Sequence, residues 1–259
     1  MLIRLEGFVM RARDYGESHK IVTVFSETHG KISFVARGAK KSRSRFGAVT
    51  EPFTKALFVC FASNPKSMPT LSSADLLESN YALRSDLLLT SVGAYWLELA
   101  DKLLVEKEPD STLFYLLSDS FQMLQENKDI DILTRILEMA FLQRAGYQPI
   151  FHECVTCGRR EGLRKVSVLQ GGMLCMEHSY LDSQAIPISE KTAKLLSLIQ
   201  RITPDRLGKV ELQAETKKEM EKVLQGFFDE YVTANFATRK IWHTMRDSLA
   251  DLESISNTE

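Results

Sequence analysis

Apolar and polar residues alternate through much of the first 77 residues, the period typical of β-strands. In one segment Ile32, Phe34 and Ala36 alternate with more polar positions, which gives a strand one apolar face. Five such segments are separated by Gly, Ser, Asn or Pro turn residues: LIRLEGFVMRAR, HKIVTVFSE, GKISFVARG, EPFTKALFVCFAS and MPTLSSADLL. Five short strands in this length predict a small closed barrel of the OB-fold type.

Beyond residue 80 the apolar residues recur at intervals of three and four, which is the period of an amphipathic α-helix. The first series comprises Leu88, Val92, Tyr95, Trp96, Leu99 and Leu103. Two more series, in residues 113–124 and 132–141, continue until Gly146 and Pro149. After an interruption, three further helices are predicted at Glu190–Ile202, Gln213–Phe236 and Lys240–Leu252. We expect the helices on both sides of the interruption to pack into one bundle, because neither half alone buries much surface.

These patterns predict an α+β multidomain protein: a five-stranded OB barrel followed by an all-α domain with an inserted module. The expected segments are the barrel (1–79), the first helical part (80–150), a metal-binding module (151–182), the second helical part (183–253) and a C-terminal tail (254–259). A chain of 259 residues exceeds the usual size of one domain, which agrees with this division.

The inserted module, FHECVTCGRREGLRKVSVLQGGMLCMEHS, has the spacing of a zinc ribbon. Cys154 and Cys157 form one pair, and Cys175 and His178 form a second pair after seventeen intervening residues. Three thiolates and one imidazole would close a tetrahedral shell around one structural Zn²⁺ per chain, with no open position for catalysis. His152 is the alternative fourth ligand, and buried free cysteines are the alternative to a metal site. Cys60, alone in a predicted strand, is expected in the core.

Charge is distributed unevenly along the chain. Residues 1–61 contain eleven Lys and Arg against five Asp and Glu, whereas the remainder contains 22 against 29. The segment ARGAKKSRSRFG (36–47) is cationic at five of twelve positions and has no acid. Its cations are the predicted nucleic-acid-binding residues: Arg37, Lys40, Lys41, Arg43 and Arg45. A solvated surface is the simpler interpretation, but a barrel that commonly binds oligonucleotides favours phosphate binding with weak sequence preference. Phe46 and Phe53 are the candidate stacking surfaces.

Several functional classes lack support in the sequence. Nucleotide-binding and hydrolase motifs such as GxxxxGK[ST], G-x-S-x-G and H-E-x-x-H are absent, so we predict a binding protein and no enzyme. Asp129 and Asp131 lie near a helix start, where a capping role is expected. The N-terminus has scattered charges and no signal-peptide pattern. The most apolar window, Asp86–Val105, contains Glu98, Asp101 and Lys102, so we expect no membrane association and a cytoplasmic location with reduced cysteines.

The order of these features resembles the bacterial DNA repair and recombination mediator family RecO. The resemblance rests on YGESHKIVTVFSETHGKISFVARGAKKSRSRFG, YWLELADKLL, AFLQRAGYQPIFHECVTCG, GGMLCMEH and RKIWHTMRDSLADL, which are collinear and span most of the chain. RecO-like proteins have an OB domain followed by a helical domain with a zinc motif. That motif is often four cysteines, whereas His178 is the fourth ligand here.

The resemblance implies a nucleoid-associated protein that binds single- and double-stranded DNA and anneals complementary strands. It also implies partners: RecR, the C-terminal tail of single-strand-binding protein (SSB), and indirectly the RecA recombinase, which would be loaded on SSB-coated strands. From the residues alone, an RNA-binding factor in RNA processing or translation is the alternative. A structural adaptor whose basic segment docks an acidic protein is a third hypothesis.

Overall fold

The computed structural model describes residues 1–126, 129–202 and 212–256 of the chain. Part of the predicted second helical segment, residues 203–211, therefore lies outside the described residues. The same holds for residues 257–259 of the predicted tail, whereas residues 254–256 belong to the last helix.

The N-terminal strands close into a barrel, with neighbours in the order β1-β2-β3-β5-β4. The strands are β1 (Leu2–Tyr15), β2 (His19–Ser26), β3 (Gly30–Ala36), β4 (Lys55–Phe61) and β5 (Thr70–Glu78). All neighbouring pairs are antiparallel except β3 and β5, which meet in parallel where Val35 pairs with Thr70. This arrangement confirms the predicted five-stranded, OB-like barrel.

Apolar side chains from alternate positions fill the barrel. Phe34 and Phe58 are completely buried, with ring centroids 5.1 Å apart. Cys60 lies among them with no exposed surface, which confirms its predicted core position. Burial disfavours the charged thiolate and raises the pKa of Cys60 to about 12, so this thiol is inert.

Helices follow the barrel where the three- and four-residue period predicts them. The helices are α1 (Tyr81–Ser85), α2 (Leu87–Leu103), α3 (Ser111–Gln125), α4 (Ile130–Arg144), α5 (Glu190–Ile199), α6 (Ala214–Tyr231) and α7 (Ala237–Ser256). The short α1 is absent from the sequence predictions. Asp129 caps α4 as expected, since its carboxylate accepts hydrogen bonds from the backbone N–H groups of Asp131 and Ile132. Among the described helices, none has the length and apolar character needed to cross a membrane.

The chain forms two compact units. The first contains Met1–Phe121 and the segment that begins at Phe236, so it includes the barrel, α1, α2, most of α3 and α7. Phe8 and Phe25 on the outside of the barrel pack against Phe114 of α3, with ring centroids 5.3 and 5.7 Å away. Trp242 of α7 is buried and stacks on Tyr95 of α2 at 5.6 Å.

The second unit, Gln122–Asn235, contains α4, α5, α6 and a four-stranded sheet. The sheet has the order β6-β8-β7-β9, formed by β6 (Ile150–Cys154), β7 (Leu163–Ser167), β8 (Gly172–Cys175) and β9 (Ile186–Pro187). Helices that precede this sheet in the sequence pack against helices that follow it. In this way α2 contacts α7, and α4 contacts α6. These pairs belong to different compact units, whereas we expected a single bundle.

Candidate metal centre and cationic loop

The four residues of the zinc-ribbon motif come together in the second unit. Cys154 ends β6, Cys157 follows in a turn, Cys175 ends β8, and His178 closes a 3₁₀ turn. Their ligand atoms all lie within 4.8 Å of one another. The loop that carries Cys157 ends at Gly158, whose φ of +71° places it in the left-handed region that glycine tolerates best.

The spacing of the ligand atoms fits a tetrahedral metal ion. The Sγ atoms of Cys157 and Cys175 are 3.9 Å apart, and His178 Nδ1 lies 3.8 Å from Cys154 Sγ and 3.2 Å from Cys175 Sγ. Two sulfurs bound to one Zn²⁺ at about 2.3 Å in tetrahedral geometry lie roughly 3.8 Å apart. The cluster can therefore hold one metal ion with little rearrangement.

Backbone hydrogen bonds prepare one ligand for metal binding. Burial of the Cys154 thiol opposes its ionisation, but hydrogen bonds from the backbone of Cys175, Thr156 and Cys157 outweigh burial and lower the pKa of Cys154 to about 6. A thiolate is the form that binds metal, so the local backbone favours a metal site at neutral pH.

His152, the alternative fourth ligand, is not part of the cluster. Its side chain is 41% exposed, and Nε2 lies 3.7 Å from the carboxylate of Glu153. His152 lines a cavity of about 640 Å³ between the sheet and α5. The geometry therefore groups His178, and not His152, with the three cysteines.

The cationic segment forms an exposed loop between β3 and β4, which we call the cationic loop (residues 37–47). All five of its predicted binding residues are exposed, namely Arg37, Lys40, Lys41, Arg43 and Arg45. Lys40 is paired with Asp14 at 2.7 Å, and Arg45 donates a hydrogen bond to the Ser72 carbonyl at 3.0 Å. Within the described part of the chain, Arg37, Lys41 and Arg43 form no ion pair. Three cations of the loop are thus available to an external anion.

Backbone contacts fix the start of the cationic loop on the barrel. The Gly38 N–H donates to His19 Nδ1 at 3.0 Å, and the Lys40 N–H donates to the Ser18 carbonyl at 3.1 Å. Gly38 has a φ of +72°, so the chain reverses there at little steric cost. The loop therefore presents its cations from a fixed base.

The predicted stacking role of Phe46 and Phe53 is wrong. Phe46 belongs to the apolar cluster inside the barrel, and Phe53 packs against Phe121 of α3 with ring centroids 5.8 Å apart. They are 5% and 3% exposed, so neither ring offers a face to a base. Tyr15 at the end of β1, which the sequence predictions do not include, is 52% exposed.

Most of the other cations on the N-terminal strands are neutralised by acids. Arg11 and Lys31 lie 3.0 and 3.7 Å from the carboxylate of Asp101, and Lys20 lies 3.0 Å from Glu51. Arg4 and Arg13 differ, because both are exposed and neither has an ion pair in the described residues. The positive surface of the barrel is therefore narrower than the sequence suggests, and most of its free cations among the described residues lie in or beside the cationic loop.

Family models match nearly the whole chain. The model described as "Recombination protein O N terminal" matches residues 1–80, and "Recombination protein O C terminal" matches residues 84–240. The first match covers the barrel, and the second covers α2 to α6 and the metal cluster.

Curated relatives give the same result. A DNA repair protein RecO from Bacillus pumilus is 39% identical over 245 residues, which are 95% of each chain. RecO from Oceanobacillus iheyensis is 36% identical over 93% of each chain. RecO from Bacillus subtilis is 38% identical over 231 residues, or 89% of this chain and 90% of the relative. This chain therefore belongs to the RecO family of bacterial DNA repair proteins.

Proposed function

We propose that this RecO-family protein is a recombination mediator that binds single- and double-stranded DNA through the cationic loop. The observation that carries the proposal is the set of exposed, unpaired cations Arg37, Lys41 and Arg43 on an OB-like barrel. Lys40 and Arg45 add charge at the same loop, although each already has a partner in the protein. Contacts of this kind bind phosphates and carry little sequence preference.

Strand annealing needs no catalytic group in this scheme. Two DNA strands repel each other because both are polyanions, and cations that neutralise phosphates lower this barrier while the bases remain free to pair. We infer that the protein acts by binding and is not an enzyme. Its partners would be RecR, the SSB tail and, indirectly, RecA, which it would help to load on SSB-coated single strands. This role implies a cytoplasmic location at the nucleoid.

We propose Zn²⁺ as the metal held by Cys154, Cys157, Cys175 and His178. Three thiolates and an imidazole within 4.8 Å of one another support this choice, because zinc prefers soft tetrahedral sites. All four positions of such a site are filled by protein ligands. The metal would therefore stabilise the sheet of the second unit and would not activate water.

A triple substitution of the free loop cations tests the DNA site. Arg37→Ala, Lys41→Ala and Arg43→Ala together should weaken binding of single-stranded DNA regardless of sequence. If all three contact phosphates, the slope of log affinity against log salt concentration should fall by about 2, at about 0.7 per contact. The measurement is a fluorescence-anisotropy titration of a labelled oligonucleotide at several salt concentrations.

A matched triple variant controls for the loss of net charge. Lys191, Lys218 and Lys222 are exposed in the second unit and have no ion pair in the described residues. Their replacement by Ala removes the same charge and should leave the salt slope unchanged. An unchanged slope in the loop variant, or an equal loss in both variants, would place the DNA site elsewhere.

A further inference from the structure

An open strip of the barrel surface lies beside the cationic loop. In the ladder of β1, β2 and β3, Arg13 pairs with Ile21, and Ile21 pairs with Val35. Directly opposed residues point to the same side of a sheet. The neighbouring inward positions, Val22 and Phe34, fill the barrel core, so this row faces outward.

The next outward position along β1 carries an exposed aromatic ring. Tyr15 pairs with His19 and is 52% exposed. Arg37 directly follows Ala36, the last residue of β3, so it lies at the same end of the sheet, and it is exposed. Within the described residues, neither Tyr15, Arg13 nor Arg37 has an ion pair or a side-chain hydrogen bond. An exposed aromatic ring and two free cations thus share one end of this sheet.

The outer surface of β1, β2 and β3 is more exposed to solvent at the end that carries Tyr15 than at the opposite end. At the other end, Thr23 and Phe25 are buried, and Arg11 and Lys31 are held by Asp101 of α2. Within the ladder that pairs β1, β2 and β3, the strip around Tyr15 is therefore open and cationic. Its half-buried Ile21 and Val35 provide an apolar floor between the charges.

We propose that Tyr15 is a stacking platform for an unpaired base of single-stranded DNA, with Arg13 and Arg37 on the adjacent phosphates. This inference rests on the proposed function and deepens it, because it separates two kinds of contact at one site. The cationic loop neutralises phosphates on either single or double strands. Tyr15 recognises only a base whose face is free, since the bases of a duplex are stacked on each other.

The occupant follows from the chemistry of the strip. Free guanidinium groups favour a polyanion, and an exposed phenol ring at the same end of the sheet favours planar groups attached to that polyanion. An acidic peptide would satisfy the arginines but would leave the ring without a planar partner. Single-stranded DNA satisfies both features.

The test compares three probes of equal phosphate number: an unstructured thymidine oligomer, the same backbone without bases, and a hairpin duplex. Tyr15→Leu keeps an apolar side chain but removes the aromatic face. It should weaken binding of the thymidine oligomer about tenfold, the effect of one lost stacking contact, and leave the other two affinities unchanged. Tyr15→Phe keeps the ring and should bind all three probes like the wild type.

Tyr81→Leu is the matched control, because Tyr81 is 68% exposed in the same unit but lies on α1 outside the strands. It should not change any affinity. Equal loss on all three probes in Tyr15→Leu, or no loss at all, would overturn the stacking role and leave the proposed phosphate site standing. A wild-type protein that binds none of the probes at low salt would overturn the proposed function itself.

Discussion

Glu98 links two helices that are far apart in sequence, and its charge determines the strength of the link. Its carboxylate accepts hydrogen bonds from the Thr238 N–H at 2.9 Å and from the Thr238 hydroxyl, at the start of α7. Lys102 Nζ lies 2.8 Å away on α2. Burial opposes the charge of Glu98, but the contacts with Lys102 and Thr238 outweigh it and lower the pKa of this carboxyl.

Glu98→Gln should therefore destabilise the protein in a pH-dependent way. Because the pKa of Glu98 is lower in the folded than in the unfolded state, its contribution is complete above the unfolded pKa of about 4.3. The contribution is lost as pH falls through the folded pKa. At pH 7 the substitution should reduce the free energy of unfolding by about 2 kcal/mol, measured by urea denaturation. The difference from the wild type should shrink at pH 4 and below.

Glu17→Gln is the control for this experiment, since Glu17 is exposed in a turn and has no partner in the described residues. It should have little effect at either pH. A constant difference between Glu98→Gln and the wild type from pH 7 to pH 3.5 would show that the charge of Glu98 does not contribute.

Side-chain direction along β1 does not follow from a simple alternation of residues. Ile3, Leu5 and Val9 face the barrel core, so uninterrupted alternation along β1 would direct the other odd-numbered residues inward as well. A register shift between Val9 and Arg11 reverses this parity, and Ala12 packs against the core instead. The outward direction of Tyr15 depends on that register shift, and the residue types in the segment do not predict the shift.

At the scale of elements, the segment that carries the four candidate ligands, which we call the metal hairpin (residues 154–178), is predictable because the spacing of the ligands is a local feature of the sequence. Two ligand pairs with fixed spacing and nearby turn glycines define the site without any knowledge of the rest of the fold. The parallel pairing of β6 with β8 depends on contacts between segments that the ligand spacing does not fix. The four residues therefore lie together as the spacing predicts, whereas the sequence does not predict the order of the strands around them.

Cys154→Ala tests the hairpin as a folding element. Wild-type protein should contain about one zinc per chain by elemental analysis, and the variant should contain much less. Because metal binding and folding of such a hairpin are coupled, the substitution should also cost several kcal/mol of stability, measured by thermal denaturation. Cys154 is only 1% exposed, so some of this loss would come from its packing alone.

Cys60→Ala separates these two effects. Cys60 is also fully buried, but it lies in the barrel core and outside the metal cluster. This variant should lose stability through a small cavity and retain its zinc. Full zinc content in Cys154→Ala, or metal-free wild-type protein of undiminished stability, would contradict the assignment of the site.

On the scale of the whole molecule, the sequence predicts where helices and strands lie better than it predicts which of them pack against each other. Helical periodicity located α2 and α7 closely, yet it contains no information that Trp242 stacks on Tyr95 or that Glu98 caps α7. As a result, the C-terminal helix belongs to the same compact unit as the N-terminal barrel. Such long-range pairing depends on shape and burial, which a single sequence does not reveal.

Trp242→Ala tests whether the packing of α7 on α2 stabilises the first unit. Trp242 has no exposed surface, and loss of a buried Trp side chain costs about 3–5 kcal/mol. We expect faster amide hydrogen exchange in peptides from α2 and α7, measured by mass spectrometry, because their shared contact is lost. Zinc content should not change, since all four ligands lie in the other unit, Gln122–Asn235.

Ile241→Ala alters the adjacent residue, which is 53% exposed, and should leave exchange near the wild-type rate. Unaltered exchange in α2 of Trp242→Ala would contradict a stabilising role for α7.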